Sequence, residues 1–485
     1  MPHFTCNLDT SGSPLRHVWS HTVGSGHAAL AMRADWREQM RRTRKQLGVR
    51  HVRFHGILCD ELSTFLIEKD KEVNSFSNAD QIFDFLLDIG MRPFVELSFM
   101  PTGLSSGGTT VFHYNANVTP PRSWRKWGNF IKKIVKHWVD RYGVTELRKW
   151  YFEVWNEPNL SAFWTGSQAD YFKLYRVTVD AIKEVDDKLR VGGPATADDE
   201  WIEDFIAFCD KKKLPADFVS THHYPTDALG KPGDDTEQQL ANAPRNVLLE
   251  RTQQACRAAA GKPVCYTEWC SSSNPFFRKH DEPYAAAFLM KNMLMVADLV
   301  ECYSWWTFSD IFEENYFSSI PFHGGFGLQT IHGLPKPTYR AMQLLNDIGD
   351  ERLHIDGGHR TVDAWAIRNG PDALTLLLTN HAFPKHDIRA ESITFSLNGS
   401  RKPLKAWVER IDEHHANPRR EWKAMGSPDY PDARQIQRLH DASEIPGEPL
   451  QPKMREGGFD LKLSLPPHAI AAVHVQYRSS ARQQK

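Results

Sequence analysis

Two glutamates stand near the ends of short apolar segments that are typical of buried β-strands. Glu157 lies in the segment YFEVWNEP (151–158), directly after Asn156, and Glu268 lies in VCYTEW (264–269). Two carboxyl groups that face one cavity can hydrolyse a glycosidic bond, because one donates a proton to the leaving oxygen while the other stabilises the developing oxocarbenium ion. The amide of Asn156 can bond the 2-hydroxyl group of the sugar. These residue types therefore predict acid–base hydrolysis of a sugar acetal.

This chemistry requires the two carboxyl groups to differ in protonation. A free glutamate has a pKa of about 4.3, so the acid needs a pKa raised by burial and by its neighbour's charge. The nucleophile instead needs hydrogen bonds that keep it ionised. Once the nucleophile is bound to the sugar its charge is gone, so the pKa of the acid should fall and the same residue can serve as the base for water. For a single glutamate the alternative is a surface or helix-capping carboxylate, which the pairing disfavours.

The order of predicted elements indicates where these groups lie. Residues 15–349 alternate β-branched runs with amphipathic stretches in eight βα units, which is typical of a catalytic (β/α)8 TIM barrel rather than an open Rossmann sheet. The predicted strands are 17–23, 49–54, 92–99, 150–155, 190–193, 218–224, 263–269 and 301–308. The predicted helices are 35–47, 78–89, 124–142, 171–187, 200–209, 246–258, 283–297 and 338–348. Glu157 and Glu268 are 111 positions apart, or about three βα units, which places them at the ends of strands four and seven.

The sequence after residue 349 has a different texture. Residues 350–477 contain short strand-like runs separated by glycine, proline and asparagine, and they predict a smaller all-β sandwich domain. Residues 1–14 are a candidate to pack with this domain. The predicted strands are 364–368, 374–380, 392–397, 405–411, 459–465 and 469–477. The proline-rich stretch 417–452 is predicted to be a long loop, and 478–485 a flexible tail.

The composition disfavours several classes of partner. Among 485 residues, 59 Lys and Arg balance 60 Asp and Glu, so no excess positive charge is available to bind nucleic acid or a membrane surface. No stretch approaches the roughly 18 to 20 apolar residues of a membrane span, and no apolar signal-peptide core is present near the start, so we expect a cytoplasmic protein. The seven cysteines are scattered without a CxxC pair, and no GxGxxG or P-loop motif occurs. We therefore expect reduced thiols, no metal site and no nucleotide cofactor.

Other polar residues near the predicted strand ends are candidates for the same site. Tyr224 ends strand six beside strand seven, where its hydroxyl can bond Glu268 and keep it charged. Arg53 lies near the same floor and can act on Glu268 electrostatically. Glu153 lies deeper in strand four on the same face as Glu157, and we interpret it as a buried salt-bridge residue rather than a catalyst.

Five segments resemble motifs of a known family. FEVWNEPNL (152–160) resembles an acid/base segment, YTEW (266–269) a nucleophile segment and VRFHGILCD (52–60) an early strand-two motif. SWWTFSDIFEE (304–314) and FHGGFGL (322–328) resemble the strand-eight region of bacterial β-xylosidases. The sequence thus resembles glycoside hydrolase family 39, the β-xylosidase and α-L-iduronidase family of the large retaining TIM-barrel clan, over nearly the whole chain.

By this resemblance Glu157 is the general acid/base and Glu268 is the nucleophile, with net retention at the anomeric carbon. The resemblance also implies that the subsite for the released sugar is lined by Asn156, His55, His222, Tyr224, Trp306 and Glu314. For the two histidines the alternative is an imidazole that only satisfies hydrogen bonds in the core. For Trp306 the alternative is packing.

We interpret the chain as a retaining, exo-acting β-xylosidase that removes terminal β-D-xylose from xylo-oligosaccharides without metal or cofactor. An α-L-iduronidase is the nearest alternative, but a uronate needs an Arg or Lys partner, whereas the strand-eight loop offers Glu313 and Glu314. Another β-glycosidase of the same family is a second alternative. A carbohydrate-binding barrel without catalysis is the third, and the presence of both carboxyl groups with Asn156 argues against it. The sequence makes no prediction of the oligomeric state.

Overall fold

A computed structural model describes residues 2–226, 233, 235–314 and 317–478, so most of the predicted tail lies outside the described residues. The strands in chain order are β1 (His3–Asn7), β2 (Ser13–Pro14), β3 (Thr22–His27), β4 (His51–His55), β5 (Leu66–Glu68), β6 (Lys71–Val73), β7 (Arg92–Glu96), β8 (Thr110–Val111), β9 (Ala116–Asn117), β10 (Tyr151–Glu153), β11 (Arg190–Thr196), β12 (Phe218–His223), β13 (Val264–Trp269), β14 (Cys302–Trp305), β15 (Glu351–Leu353), β16 (Val362–Arg368), β17 (Ala373–Asn380), β18 (Glu391–Asn398), β19 (Pro403–Ile411), β20 (Glu448–Pro449), β21 (Lys453–Arg455), β22 (Gly458–Leu465) and β23 (Ala469–Tyr477). The α-helices are α1 (Ala34–Leu47), α2 (Ser77–Asp88), α3 (Trp124–Tyr142), α4 (Val144–Leu147), α5 (Gln168–Lys183), α6 (Ile202–Lys212), α7 (Thr236–Asn242), α8 (Val247–Ala258), α9 (Pro283–Val296), α10 (Pro337–Asn346), α11 (Pro418–Ala424) and α12 (Ala433–Ala442).

Eight parallel strands form a closed barrel in the order β3, β4, β7, β10, β11, β12, β13 and β14. The barrel closes between β14 and β3, where Trp305 pairs with Val23. A helix follows each strand, so every strand runs in the same direction and all the carboxyl ends meet at one face. The predicted parallel barrel of eight βα units is confirmed. The face that collects the carboxyl ends is the face on which the predicted catalytic segments lie.

The first barrel strand lies further along the chain than predicted. The segment 17–23 was expected to form it, whereas the structure has a short 3-10 helix at Val18–Ser20 and the strand at Thr22–His27. Gly24 and Gly26 lie within this strand, and glycine weakens the sequence signal of a strand because it has no side chain to pack. The remaining seven predicted strands overlap the observed ones.

Helix α9 is buried on nearly all sides. Its residues from Pro283 to Leu294, together with Val296, are buried. The helix packs against the neighbouring barrel helices α8 and α10 and also against strands β17 and β23. A helix without a polar face is stable only when it is covered all round. The barrel and the β-sheets beyond it therefore share one continuous core, which includes Leu377 and Ile470.

Two further sheets are built mainly from the chain after residue 349. One has seven strands in the order β2, β15, β16, β17, β23, β19 and β20, and the other has four in the order β1, β18, β22 and β21. Side chains of both sheets, such as Leu376 and Val473 of the first and Phe395 and Leu461 of the second, belong to one apolar cluster. Strands β1 and β2 from the start of the chain complete one edge of each sheet.

The prediction of a long loop over 417–452 is wrong, because this segment contains α11 and α12. Pro418 occupies the first turn of α11, where a proline is compatible with a helix. The side chain of Asp432 caps α12 by accepting from the backbone N–H groups of Arg434 and Gln435. Trp422 and Leu439 from these helices pack with Phe322 and Leu334 from the loop after β14. This long-range packing stabilises helices whose prolines had indicated a loop.

Among the described residues, no helix combines the length and the hydropathy of a membrane span.

Candidate active site

Glu157 and Glu268 meet over one cavity at the carboxyl ends of β10 and β13. A carboxylate oxygen of each lies within 4.8 Å of the other and of a ring nitrogen of His222. Each glutamate is only 7% exposed. Retaining glycosidases hold their two carboxyl groups about 5 to 5.5 Å apart, whereas inverting enzymes leave about 6.5 to 9.5 Å for a water molecule. The observed separation fits direct attack by one carboxylate.

The backbone turns sharply to aim Glu157 into the cavity. Glu157 has a φ of 43° and Trp155 a φ of 75°, both in the left-handed region that disfavours side chains with a Cβ. The N–H group of Glu157 donates to the carbonyl oxygen of Ala195 over 2.7 Å, which anchors the turn to the neighbouring strand. Such conformations persist only where the surrounding structure holds them. Here the turn places the carboxyl group beside Glu268.

Two donors face the carboxylate of Glu268. The hydroxyl of Tyr224 donates to Oε1 over 2.5 Å, and Nη1 of Arg53 lies 3.4 Å from Oε2. Hydrogen bonds and positive charge both favour the ionised form of a carboxyl group. The expected contact between Tyr224 and Glu268 and the expected electrostatic contact of Arg53 are therefore both present.

Burial raises the pKa of both glutamates. The pKa of Glu157 rises to about 7, against the opposing charges of His55 and Arg53. The pKa of Glu268 also rises to about 7, because burial and the charge of Glu157 outweigh the opposing charge of Arg53. Two carboxyl groups this close ionise as a coupled pair and share a proton over part of the pH range. Because Tyr224 and Arg53 donate to Glu268, the shared proton lies preferentially on Glu157 and Glu268 is the ionised member of the pair.

Arg53 organises the floor of the site from β4. Its side chain is fully buried, with Nε 2.7 Å from Oε2 of Glu153 and Nη2 2.8 Å from Oε2 of Glu96. Nη2 also donates to Oδ1 of Asn156 over 2.9 Å. The interpretation of Glu153 as a buried salt-bridge residue is confirmed. Because Oδ1 of Asn156 accepts from Arg53, its amide nitrogen is presented as the donor end, as a sugar hydroxyl requires.

His55, Trp306 and Glu314 lie together beside this floor. Nδ1 of His55 is 2.7 Å from Oε2 of Glu96, and Nε2 is 3.5 Å from Oε1 of Glu314. Burial alone would lower the pKa of His55, but the charge of Glu96 and the hydrogen bonds to Glu314 and Glu96 raise it to about 10. The ring of Trp306 lies 4.9 Å from that of His55. Gly24 permits this position, because a Cβ there would lie 2.4 Å from the Trp306 ring.

His222 is fully buried and uses both ring nitrogens. Nδ1 lies 2.9 Å from Oε1 of Glu157, and Nε2 lies 3.0 Å from Oγ1 of Thr267. Burial lowers the pKa of His222 to about 4, despite the nearby charge of Glu268. The neutral ring therefore contacts Glu157 directly, and its Nδ1 lies 3.8 Å from Oε2 of Glu268.

Residues 5–457 match the family model described as "Glycosyl hydrolases family 39". The chain belongs to glycosyl hydrolase family 39. It is 46% identical to a beta-xylosidase of Caldicellulosiruptor saccharolyticus, covering 97% of this chain and 98% of that protein. It is 35% identical to a beta-xylosidase of Geobacillus stearothermophilus, covering 97% and 95%. The crystal structure of a monomeric beta-xylosidase from Caulobacter crescentus CB15 superposes with a TM-score of 0.87 at 30% identity, covering 99% of this chain and 100% of that one. The resemblance seen in the sequence is confirmed.

All the sequence-predicted site residues of this family 39 protein lie in one connected cluster. Sequence reasoning missed Glu96 and Thr267, which connect several of them. Glu96 ends the apolar strand β7. A carboxylate at the end of an apolar strand is the pattern that identified Glu268, so Glu96 could have been predicted in the same way. Thr267 gave no such signal, because threonine is an ordinary strand residue.

The types of Glu157, His222 and Glu268 are also those of metal ligands, and their ligand atoms are close enough to hold an ion. The guanidinium group of Arg53 lies 3.4 Å from Glu268, however. A fixed positive charge at this distance opposes a second cation. The charges of the site therefore fit acid–base chemistry better than metal binding.

Proposed function

We propose that this chain is a retaining, exo-acting β-xylosidase that releases terminal β-D-xylose from xylo-oligosaccharides. The observation that carries the proposal is the close approach of Glu157 and Glu268 in different surroundings. Glu268 faces two donors that favour the carboxylate, whereas Glu157 faces a buried, uncharged histidine. The two beta-xylosidase relatives, similar over nearly the full chain, support the choice of sugar.

In the first step, the carboxylate of Glu268 attacks the anomeric carbon while the carboxyl proton of Glu157 passes to the glycosidic oxygen. The bond between the anomeric carbon and that oxygen breaks, and the remainder of the oligosaccharide leaves as an alcohol. The sugar stays bound to Glu268 as an ester. Asn156, oriented by Arg53, donates to the 2-hydroxyl group, where the interaction strengthens in the transition state.

In the second step, Glu157 changes from acid to base. Esterification removes the charge of Glu268, which lowers the pKa of Glu157 and favours its carboxylate form. This carboxylate takes a proton from water. The oxygen of that water then attacks the anomeric carbon from the side that the leaving group vacated. The ester bond breaks and Glu268 is restored as a carboxylate. Two inversions give net retention.

The charges around the sugar site favour a neutral pentose over a uronic acid. Glu314 is partly buried beside His55, and the neighbouring Glu313 pairs with Arg33. Arg33 is therefore already paired with Glu313, and the protonated His55 with Glu96 and Glu314, whereas a uronate needs a cation as its partner. A second carboxylate next to Glu314 would be repelled. An α-L-iduronidase is accordingly the less favoured activity.

We also propose that residues 15–349 form the catalytic domain and that residues 350–477, with 1–14, form a β-sandwich domain. The two sheets that share one apolar cluster support the sandwich assignment.

Initial rates on a panel of nitrophenyl glycosides test the function. The panel contains β-D-xyloside, α-L-arabinoside, β-D-glucoside and α-L-iduronide. We expect the β-xyloside to have the highest kcat/KM, and proton NMR of the first product to show the β-anomer of xylose. A preference for the iduronide, or release of the α-anomer, would overturn the proposal. Absence of turnover on every substrate would instead favour a carbohydrate-binding barrel.

A further inference from the structure

A line of four buried contacts connects Arg53 to the acid/base Glu157. Nε of Arg53 donates to Oε2 of Glu153 over 2.7 Å, and Oγ1 of Thr267 donates to Oε1 of Glu153 over 2.7 Å. Nε2 of His222 lies 3.0 Å from Oγ1 of Thr267. Nδ1 of the same ring lies 2.9 Å from Oε1 of Glu157. The line therefore joins a fixed positive charge to the group that must donate the catalytic proton.

The first two contacts determine where the proton of Thr267 lies. Glu153 is paired with a guanidinium group, which is always protonated, so its carboxylate only accepts hydrogen bonds. A hydroxyl oxygen 2.7 Å from this carboxylate must direct its single proton toward it. The oxygen of Thr267 is then left with lone pairs only, and it can interact with His222 only as an acceptor. Nε2 of His222 must therefore carry a hydrogen.

The position of that hydrogen fixes the proton on Glu157. A neutral imidazole with hydrogen on Nε2 has only a lone pair on Nδ1. Burial keeps His222 neutral, with a pKa of about 4. An ionised Glu157 would place a second lone pair 2.9 Å from Nδ1, which is repulsive. The contact becomes a hydrogen bond only when the carboxyl group of Glu157 is protonated and donates to Nδ1.

We propose that Thr267 is a positioning residue that fixes the tautomer of His222 and thereby holds the catalytic proton on Glu157 before substrate reacts. The proposal rests on the proposed function, in which Glu157 is the acid/base. It also gives His222 a part in the second step. After Glu157 has donated its proton, the carboxylate faces the lone pair of Nδ1, and this repulsion makes it a stronger base toward water.

Several charged groups surround this line and contribute to its titration. Those that act on His222 are Glu268, Arg53, Glu153 and Glu96. Those that act on Glu157 are Glu268, His55, Arg53, Asp198 and Glu314. None of these charges is altered by a substitution at Thr267. A shift in the titration of Glu157 in such a variant would therefore report the change at His222.

The test compares Thr267→Val with Thr267→Ser by the pH dependence of kcat/KM on xylobiose, whose poor leaving group requires the acid. In Thr267→Val the ring can carry hydrogen on Nδ1 and donate to ionised Glu157, so Glu157 loses its proton at lower pH. We expect the alkaline limb to move to lower pH by about one unit. Thr267→Ser keeps the hydroxyl and should keep the wild-type midpoint of this limb. With 2,4-dinitrophenyl β-xyloside, which needs no acid, the rate of Thr267→Val should fall much less.

Thr178→Val is the matched control for the loss of a buried threonine hydroxyl. Oγ1 of Thr178 accepts from Nε1 of Trp127 over 2.8 Å, away from the catalytic pair. Its Tm should fall while the alkaline limb stays in place. If Thr267→Val also has only a lower Tm, and its pH profile superimposes on that of the wild type, the proposal is overturned. The same conclusion follows if Thr267→Ser shifts the limb as far as Thr267→Val.

Neutron crystallography of the wild type decides the point without any variant. In crystals held below the pKa of Glu157, which is about 7, we expect deuterium on Nε2 of His222 and on the carboxyl group of Glu157. Deuterium on Nδ1 of His222 instead would overturn the proposal, even in an active enzyme. An inactive wild type would refute the proposed function, and the neutron density would still decide the tautomer.

Discussion

The hydroxyl of Tyr224 donates to Oε1 of Glu268 over 2.5 Å. Tyr224 follows β12 and Glu268 lies in β13, so two adjacent barrel strands supply the donor and the acceptor. The phenolic proton is held beside a carboxylate, and burial together with that charge raises the pKa of Tyr224 well above its usual value. Tyr224 therefore stays a donor over the whole working pH range.

Replacing Tyr224 with Phe should weaken the nucleophile. The loss of a hydrogen bond to a charged group is worth about 1.5 to 3 kcal/mol, so kcat/KM should fall by about tenfold to a hundredfold. The pKa of Glu268 should rise further, which moves the acidic limb of the kcat/KM profile to higher pH. Steady-state rates between pH 4 and pH 9 measure both effects. An unmoved acidic limb would show that the hydroxyl does not act on Glu268.

Replacing Glu157 with Ala should affect substrates according to their leaving groups. The rate of xylobiose hydrolysis should fall by a factor of about 10² to 10⁴, because its leaving oxygen needs a proton. 2,4-Dinitrophenyl β-xyloside should be cleaved to the glycosyl ester but hydrolysed slowly, and azide should accelerate its turnover and form β-xylosyl azide. Comparable losses on both substrates, with no azide product, would contradict the acid/base role.

Replacing Glu268 with Ala should abolish turnover on every xyloside, including activated ones, because no ester can form. The circular dichroism spectrum should match that of the wild type, because removing one of two neighbouring carboxylates also removes their mutual repulsion. The mechanism-based inhibitor 2,4-dinitrophenyl 2-deoxy-2-fluoro-xyloside should label the wild type on the peptide that contains residue 268 and leave the variant unlabelled. Wild-type-like rates on an aryl xyloside would refute the assignment.

Replacing Glu157 with Gln should stabilise the protein at neutral and alkaline pH. In the folded protein the pKa of Glu157 is about 7, well above that of a free glutamate. A carboxyl group with a raised folded pKa stabilises the fold below its unfolded pKa and loses that contribution as the pH rises through the folded value. Glutamine mimics the protonated form and can still donate to His222.

The difference in the free energy of unfolding between Glu157→Gln and wild type should therefore be smallest below about pH 4.5. It should grow to on the order of 1 to 3 kcal/mol above about pH 7. Urea unfolding at several pH values measures it. The exposed Glu184, which pairs with Lys132 on the surface, gives the control Glu184→Gln, which should change the free energy of unfolding above about pH 7 much less than Glu157→Gln does. Parallel curves for Glu157→Gln and wild type would contradict the raised pKa.

The barrel and the meeting of Glu157 and Glu268 over one cavity could be predicted because both leave local patterns. Alternating βα units reveal a parallel barrel, and a carboxylate at the end of an apolar run reveals a strand end that faces the site. Tyr224 and Arg53 followed from their order along the chain. Each of these inferences needed only a segment and its place in the sequence.

The parts that escaped prediction depend on contacts between distant segments. Thr267 matters only because Glu153, 114 residues earlier, accepts a hydrogen bond from its hydroxyl. Helices α11 and α12 are stabilised by the packing of Trp422 and Leu439 against Phe322 and Leu334, which come from the loop after β14. Strand β3 contains Gly24, which leaves room for the ring of Trp306, about 280 residues later. Composition and periodicity contain no record of such partners.

The all-round burial of α9 limits how the enzyme can be cut. A fragment that ended near residue 349 would expose the side of this helix that β17 and β23 cover. The alanine, leucine and methionine side chains that become exposed to solvent would favour aggregation over independent folding. Shortened versions for biotechnology should therefore preserve both halves of the molecule and trim surface loops instead.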